Sequence, residues 1–360
     1  MTTELSIDDK YNLIIKNLQE TIIDENIVKK ILAVRPLKVY WGTSPTSTPS
    51  IAYFVPMMKI RDLVMAGCEV TILIADLHAV LDNLKSTFEQ VEYRSQYYIA
   101  VIKAMLISLN IDINKIKFIK GSEYQLSKEY TMDMYKAHTL ITVNEAKHAG
   151  AEVVKQNEHP KMAGLMYPTL QALDEQYLGV DIELSGLDQR KLFGHALNIM
   201  PKLGYKKRMY LMTNMISGLR TLKQELKENQ NIQDKKMSSS NKDSKIDLLD
   251  SKNQLKIKIN KAYCLPGDIT DNCLIEMLEN LVYPILNIKG LQFVIERKEE
   301  YGGNITYVNS EDIKNDFKTS KLHPMDLKQG MINNIDLILD PIRKTFDTPE
   351  MKKLIKQAYS

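Results

Sequence analysis

From residue 37 to residue 212, short apolar runs of strand length alternate with longer segments in which apolar residues recur every three to four positions. LKVYWG (37–42) predicts a buried strand and SIAYFVPMMKIRDLVMAG (50–67) a helix stopped at Gly67. EVTILIAD (69–76) predicts the next strand, followed by a helix over 87–109 and a strand in KIKFIKG (115–121). Helical segments then cover 129–178, VDIELSG (180–186) reads as a strand, 189–200 as a helix and RMYLM (208–212) as a short strand. Residues 8–32, ahead of all this, carry helical periodicity. Strands separated by helices predict an α/β fold with a parallel sheet covered on both faces.

The pattern changes near residue 216. The stretch 216–245 is lysine-rich and polar, almost without large apolar residues after Leu226, and predicts a mobile surface loop. Residues 251–360 read as helices, among them DNCLIEMLENLVYPIL and MDLKQGMINNIDLILDPIRKTF, with no further strand series. No internal repeat is visible. The expected organisation is an N-terminal helical segment (1–35), a sheet-containing domain (36–245) and an all-helical domain (246–360).

Composition narrows the classes. The chain has 360 residues, 44% hydrophobic and 26% charged, enough for about two domains on the usual size prior. Its net charge of +3 permits a polyanionic partner without requiring one. Cys68, Cys264 and Cys273 match no CxxC spacing, so neither a disulfide framework nor a zinc site is indicated, and a reducing compartment fits. The six histidines stand singly, with no metal-ligand spacing, so no structural metal is expected. The N-terminus lacks the basic start and apolar block of a signal peptide, and lysines interrupt runs such as IAVIKAMLISL (99–109). A cytoplasmic protein without membrane association is expected.

Three stretches carry candidate chemistry. YWGTSPTSTPSIAYF (40–54) leaves a strand through Gly42, prolines and hydroxyls and enters a helix, where amides and the helix dipole favour a phosphate. The same loop also reads as an ordinary turn with Ser50 as N-cap. DKKMSSSN (234–241) sets Lys236 before three hydroxyls, a grouping suited to gripping a triphosphate, although most lysine–serine tracts are solvated. In YPTLQALDEQYLG (167–179), Tyr167, Gln171 and Asp174 share one helix face beside an apolar stripe of Leu170, Leu173 and Tyr177. That face is either wet or the wall of a pocket. Tyr40 and Gln189 are placed to converge on such a pocket, which would suit a neutral polar ligand.

Together YWGT…PSIAYF, LIADLHAVLDN (73–83), YPTLQALDEQYLGVD, GLDQRK, KMSSS and LHPMDLK (322–328) resemble, in order and spacing over roughly residues 10–345, the tyrosyl-tRNA synthetases of the eukaryotic and archaeal branch. The resemblance implies a Rossmann-type catalytic domain followed by an all-helical anticodon-binding domain in a class I homodimer. It also implies activation of L-tyrosine by ATP, with Mg²⁺ on the phosphates, and transfer of the tyrosyl group to the 3′ end of a cognate tRNA. By that resemblance Tyr40 and Asp174 bond the substrate phenol, Tyr167, Gln171 and Gln189 hold its amino and carboxylate groups, and His78 lines the pocket. A histidine satisfied in the core is the alternative for His78. Gly42, Ser47, Ser50, Gly186, Asp188, Lys236, Met237, Ser238 and Ser239 match the ATP-binding stretches, with Lys236 and Ser50 the candidate catalytic residues. Tyr301, His323 and Asp326 match positions that read the anticodon, and Asp326 also reads as a helix cap.

The opening loop departs from the family pattern. Ser47 stands for a glycine, Ser50 for the first signature histidine, and Tyr53 at the second, where the eukaryotic branch commonly lacks histidine. Ser185 replaces a glycine, and the lysine-rich loop before KMSSS is longer than usual. A catalytically impaired relative that binds tRNA or tyrosine without activation is therefore the competing reading.

Overall fold

The computed structural model describes residues 5–83, 86–153, 161–219, 237, 244–270 and 272–360, with the side chain of residue 83 left aside. The loop expected at 216–245 falls largely outside these residues, and so do Lys236, Ser238 and Ser239.

Five strands form a parallel sheet; four of them are largely buried because their apolar runs need cover on both faces, while the edge strand is buried only at Ile116. They are β2 (Lys38–Thr43), β3 (Glu69–Ile74), β4 (Ile116–Lys120), β5 (Ile182–Gly186) and β6 (Met209–Thr213), mutually parallel as expected. The chain builds outward from β2 through β3 to β4, then returns to the other side of β2 to lay down β5 and β6. The strand order therefore reverses at β2 and β5, which splays the connections leaving their carboxyl ends and opens a crevice between them.

The N-terminal segment is not helical throughout. Helices α1 (Ile7–Ile15) and α2 (Glu25–Leu32) flank a three-residue strand β1 (Glu20–Ile22), which pairs antiparallel with β6 at the sheet edge. Asn17, at φ 54°, turns the chain out of α1. Such a short strand has no period of its own, and its register comes from β6.

Helices α3 (Phe54–Met65), α4 (Asp76–Asn83), α5 (Phe88–Ser108), α6 (Ser122–Gln125), α7 (Lys128–His138), α8 (Val143–Gly150), α9 (Met162–Tyr177) and α10 (Arg190–Lys202) cover the sheet. Alternation along β2 divides its side chains. Val39 and Trp41 enter one large apolar cluster, while Tyr40 packs on the other face with Leu73, Ala75 and Val180.

Beyond residue 250 lie α11 (Lys252–Lys261), α12 (Cys273–Met277), α13 (Tyr283–Ile288), α14 (Ser310–Lys318), α15 (Pro324–Phe346) and α16 (Pro349–Tyr359). This region is helical as expected, except for an antiparallel ribbon of β7 (Phe293–Ile295) and β8 (Ile305–Tyr307). Each of these strands has three residues, too few to show alternation beside longer helical patterns. The ribbon lies against Gly330 of α15, where a Cβ would meet Ile295 at 2.9 Å and the Phe293 ring at 3.0 Å. The large cluster runs without a break from Val39, Ile60 and Met105 to Leu281, Ile338 and Phe346. Tyr97 of α5 packs edge-on against Phe346 at 5.3 Å and Tyr359 at 5.5 Å.

Lys59 of α3 is a buried cation within this core. Its Nζ donates to the carbonyls of Leu13 and Lys16, each at 2.7 Å, closing the end of α1, and sits 3.8 Å from Asp62. Burial lowers its pKa to about 8. Replacing Lys59 with Met leaves two carbonyls without this donor, so Lys59→Met is expected to cost about 1–3 kcal/mol in urea unfolding, with the denaturant slope unchanged.

Candidate active site

The loop after β2 is shaped from outside. Ile51 N donates to Ile246 O at 2.9 Å, and the buried Lys245 Nζ donates to Thr48 O at 2.6 Å and Thr48 Oγ1 at 2.7 Å. Arg94 Nη1 donates to Thr46 O at 2.6 Å, and the Tyr98 hydroxyl donates to Ser47 O. Tyr53, at the second signature position, shares a 3.0 Å hydrogen bond with Thr43 Oγ1. Ser50 precedes a single 3₁₀ turn, Ile51–Tyr53, at the N-cap position, yet its hydroxyl makes no capping hydrogen bond. Ser44, Ser47 and Ser50 instead line a cavity of about 650 Å³ at the carboxyl ends of β2 and β5.

Of the residues singled out from the sequence, those expected at the tyrosine and ATP sites meet in this cavity, apart from Lys236, Ser238 and Ser239, which lie outside the described residues. Its inner wall holds Tyr40, His78 and Asp174, and its side wall Tyr167, Gln171 and Gln189. Gly42, Ser47, Ser50, Gly186, Asp188 and Met237 complete the mouth. A Cβ at Gly186 would come within 2.5 Å of Asp188 Oδ1, so a side chain there would push the Asp188 carboxylate aside. Met237 is buried, with its backbone N–H on Ile216 O at 2.7 Å. The polar face of α9 is thus the pocket wall and not a wet surface.

The inner wall carries polar atoms without partners among the described residues. Asp174 is 1% exposed. Its Oδ1 accepts from Gln125 Nε2 at 2.7 Å and from the Tyr130 hydroxyl at 3.0 Å, while Oδ2 has no hydrogen bond. The Tyr40 hydroxyl and both His78 ring nitrogens are likewise unpartnered. His78 Nε2 stands 3.9 Å from Asp174 Oδ2, too far for a hydrogen bond, and its ring meets Tyr167 edge-on at 4.7 Å. Buried groups of this kind are rare unless something completes them. Burial lifts Asp174 to about 7 and drops His78 to about 4. Burial, followed by Glu183, Asp174 and Glu175, raises the Tyr40 phenol, which stays neutral.

Sequence reading missed several residues here. Glu183 is 2% exposed in β5 and accepts from Gln171 Nε2 at 2.8 Å. Arg94 lines the mouth from α5. Gln125 and Tyr130 position Asp174 from α6 and α7. An acid inside the apolar run VDIELSG was the available signal for Glu183. Nothing distinguished Arg94 from other charges on a helix face.

At the far end of the C-terminal region, Tyr301 is 67% exposed beside the tight turn of Gly302 and Gly303, with φ values of 92° and 70°. His323, not Asp326, caps α15: its Nδ1 accepts from Met325 N at 3.2 Å. Asp326, in the first turn, faces Arg297 Nη1 at 3.6 Å, and Arg297 Nε donates to Gly303 O at 3.0 Å. Arg297 therefore ties the turn bearing Tyr301 to the start of α15.

The sequence model of the tRNA synthetases class I (W and Y) matches residues 33–340. The chain belongs to that family. Among curated relatives, "Tyrosine--tRNA ligase, cytoplasmic" of Danio rerio is 48% identical over the whole chain, which spans 64% of that relative's length. The Saccharomyces cerevisiae protein of the same name is 45% identical, with 100% of this chain and 90% of the relative covered. Among solved structures, the Pyrococcus horikoshii tyrosyl-tRNA synthetase complexed with L-tyrosine superposes with a TM-score of 0.88 at 25% identity, covering 98% of this chain and all of that one. The Archaeoglobus fulgidus enzyme, also with L-tyrosine, gives 0.80 at 33% identity, covering 94% of this chain and 99% of that one. No helix among the described residues is long and apolar enough to cross a membrane.

Asp174 and His78 oppose one another in the pH dependence of stability. From pH 4 to 6.5 the folded state keeps a proton on Asp174 that the unfolded chain has released, so this group's contribution falls as pH rises. Over the same window the unfolded chain holds a proton on His78 that the folded state lacks, so that contribution rises with pH. In Asp174→Asn only the His78 slope remains of the two. The stability of the variant relative to the parent is expected to climb with pH between about 4 and 7, by at most about 1.4 kcal/mol per unit, and then level off. Urea unfolding across that range measures it.

Proposed function

We propose that the chain is a cytoplasmic tyrosine–tRNA ligase that converts L-tyrosine and ATP to tyrosyl-adenylate and pyrophosphate and passes the tyrosyl group to the 3′ end of its tRNA. The observation that carries this is the pair of unpartnered atoms at the closed end of the cavity, Tyr40 Oη and Asp174 Oδ2. A phenol seated there donates to Asp174 and accepts from Tyr40, satisfying both. Leu73 and Ala75 offer its ring an apolar bed. The names of the similar proteins support the same choice of amino acid and compartment.

In this reading Tyr167, Gln171 and Gln189 hold the substrate's ammonium and carboxylate, so that the carboxylate oxygen lies toward the mouth. It attacks the α-phosphate of ATP and pyrophosphate leaves, with no covalent enzyme intermediate. The chain's part is orientation and stabilisation of phosphate charge. Gly42, Ser47 and Ser50 offer amides and hydroxyls on one side, Gly186 and Asp188 receive the ribose on the other, and Met237 packs beneath. Lys236, Ser238 and Ser239 join the phosphate contacts on the strength of the KMSSS motif. Mg²⁺ comes in with the nucleotide and neutralises phosphate charge; among the described residues no three His, Cys, Asp or Glu side chains gather to cage a metal.

The proposed division assigns catalysis to 36–245 and anticodon recognition to 246–360, supported by the end of the sheet at Thr213 and the helices from Lys252 onward. Tyr301 would stack on an exposed base, with His323 and Asp326 beside it. A homodimer is supported by exposed apolar side chains between α6 and α8, namely Leu126, Met132, Tyr135, Leu140 and Val143.

Ser47 and Ser50 favour the second reading, binding without activation. ATP–pyrophosphate exchange with tyrosine, phenylalanine and tryptophan supplied in turn separates the two. Exchange with tyrosine is expected, and with phenylalanine about 10⁴–10⁵-fold less, a range for which this enzyme class is itself the known example. No exchange with any of them, alongside retained tRNA binding, establishes the impaired relative. Ser50→His is expected to speed adenylate formation by up to about 10²-fold with tyrosine affinity little changed, as stopped-flow kinetics would measure.

A further inference from the structure

We infer that Glu183 is a positioning residue for the amino group of the substrate, acting through Gln171; this rests on the tyrosine reading above. Gln171 Nε2 lies between two acceptors, Glu183 Oε1 at 2.8 Å and Gln189 Oε1 at 3.3 Å. Both of its N–H groups are therefore directed at the wall, and the amide carbonyl takes the opposite edge. An ammonium group needs acceptors. Held the other way round, Gln171 would present N–H groups to the substrate's own N–H groups.

Glu183 is suited to enforce this. It is 2% exposed, and β5 holds it from below through parallel pairing with Tyr40 of β2 and Tyr210 of β6. Its charged and titratable neighbours include Glu175, Asp174, Tyr40, Tyr167 and Tyr210. Glu175 Oε1 in turn accepts from the Tyr210 hydroxyl at 2.9 Å. Burial raises both glutamates, and for Glu183 the charge of Glu175 adds to the rise, which favours a proton on one of the two. With that proton on either residue, Glu183 Oε1 remains an acceptor and the orientation of Gln171 does not change.

A glutamine at this position can still offer a carbonyl to Gln171, whereas a leucine of similar size offers nothing. Tyrosine binding is compared with that of 3-(4-hydroxyphenyl)propionate, which lacks only the amino group, by calorimetry on the full chain. Glu183→Leu is expected to weaken tyrosine about tenfold, the loss of about one hydrogen bond, and to leave the desamino compound within about twofold of the parent. In pyrophosphate exchange the change is expected in KM for tyrosine, with kcat within about twofold. Glu183→Gln is expected to restore tyrosine binding to within about threefold.

Equal weakening of both ligands by Glu183→Leu, unchanged tyrosine binding, or no recovery in Glu183→Gln overturns the inference. If Glu183→Leu does not fold, Gln171→Met tests the orientation directly. Loss of tyrosine affinity with the desamino compound unaffected supports it, and unchanged tyrosine affinity overturns it. A parent chain that binds neither compound overturns the tyrosine reading itself, a result distinct from any of these.

Discussion

The site depends on the parallel pairing of β2 with β5. Val39 to Trp41 lie opposite Ile182 to Leu184, which brings Tyr40 level with Glu183. The reversal of strand order here sends the chain from β2 one way and from β5 the other, which leaves a cavity among the described residues at the two strand ends. The walls of the cavity are set by that geometry: α9 runs beside it with Tyr167, Gln171 and Asp174, and Gly186 ends β5 at its rim.

A second constraint is electrostatic. Asp174, Glu175 and Glu183 are three acids buried within two adjacent elements, and Tyr40, His78 and Tyr130 surround them with neutral groups. Three bare carboxylates in such a place would repel one another, and burial already disfavours the charged form of each. The acids therefore keep protons at pH values where exposed ones are ionised. The inner wall of the cavity is consequently polar without being strongly charged.

The legibility of all this in the sequence was uneven, for physical reasons. Central strands were readable because two-sided burial leaves nearly continuous apolar runs, as in LKVYWG and EVTILIAD, and the edge strand KIKFIKG because its apolar residues recur between lysines. The strands β1, β7 and β8 were not, since three residues cannot show a period. The α9 triplet was readable as a stripe, but whether the stripe was wet depended on burial supplied by other elements. Its use came from the order of motifs along the chain. Glu183 sat inside an apolar run without any spacing to announce a partner, and Arg94 acts through backbone carbonyls that no pattern reveals. Capping by His323 in place of Asp326 was a choice between neighbours that only backbone geometry decides.

The helix α15 has 23 residues and so measures about 35 Å. Its first turn carries His323 and Asp326, and its last residue, Phe346, is wedged against Tyr97 on the helix whose Arg94 grips the loop after β2. One helix thus runs from the turn that carries His323 and Asp326 to the buried contact with Tyr97. The spacing between those two places is thereby set by the number of helical turns that separate them.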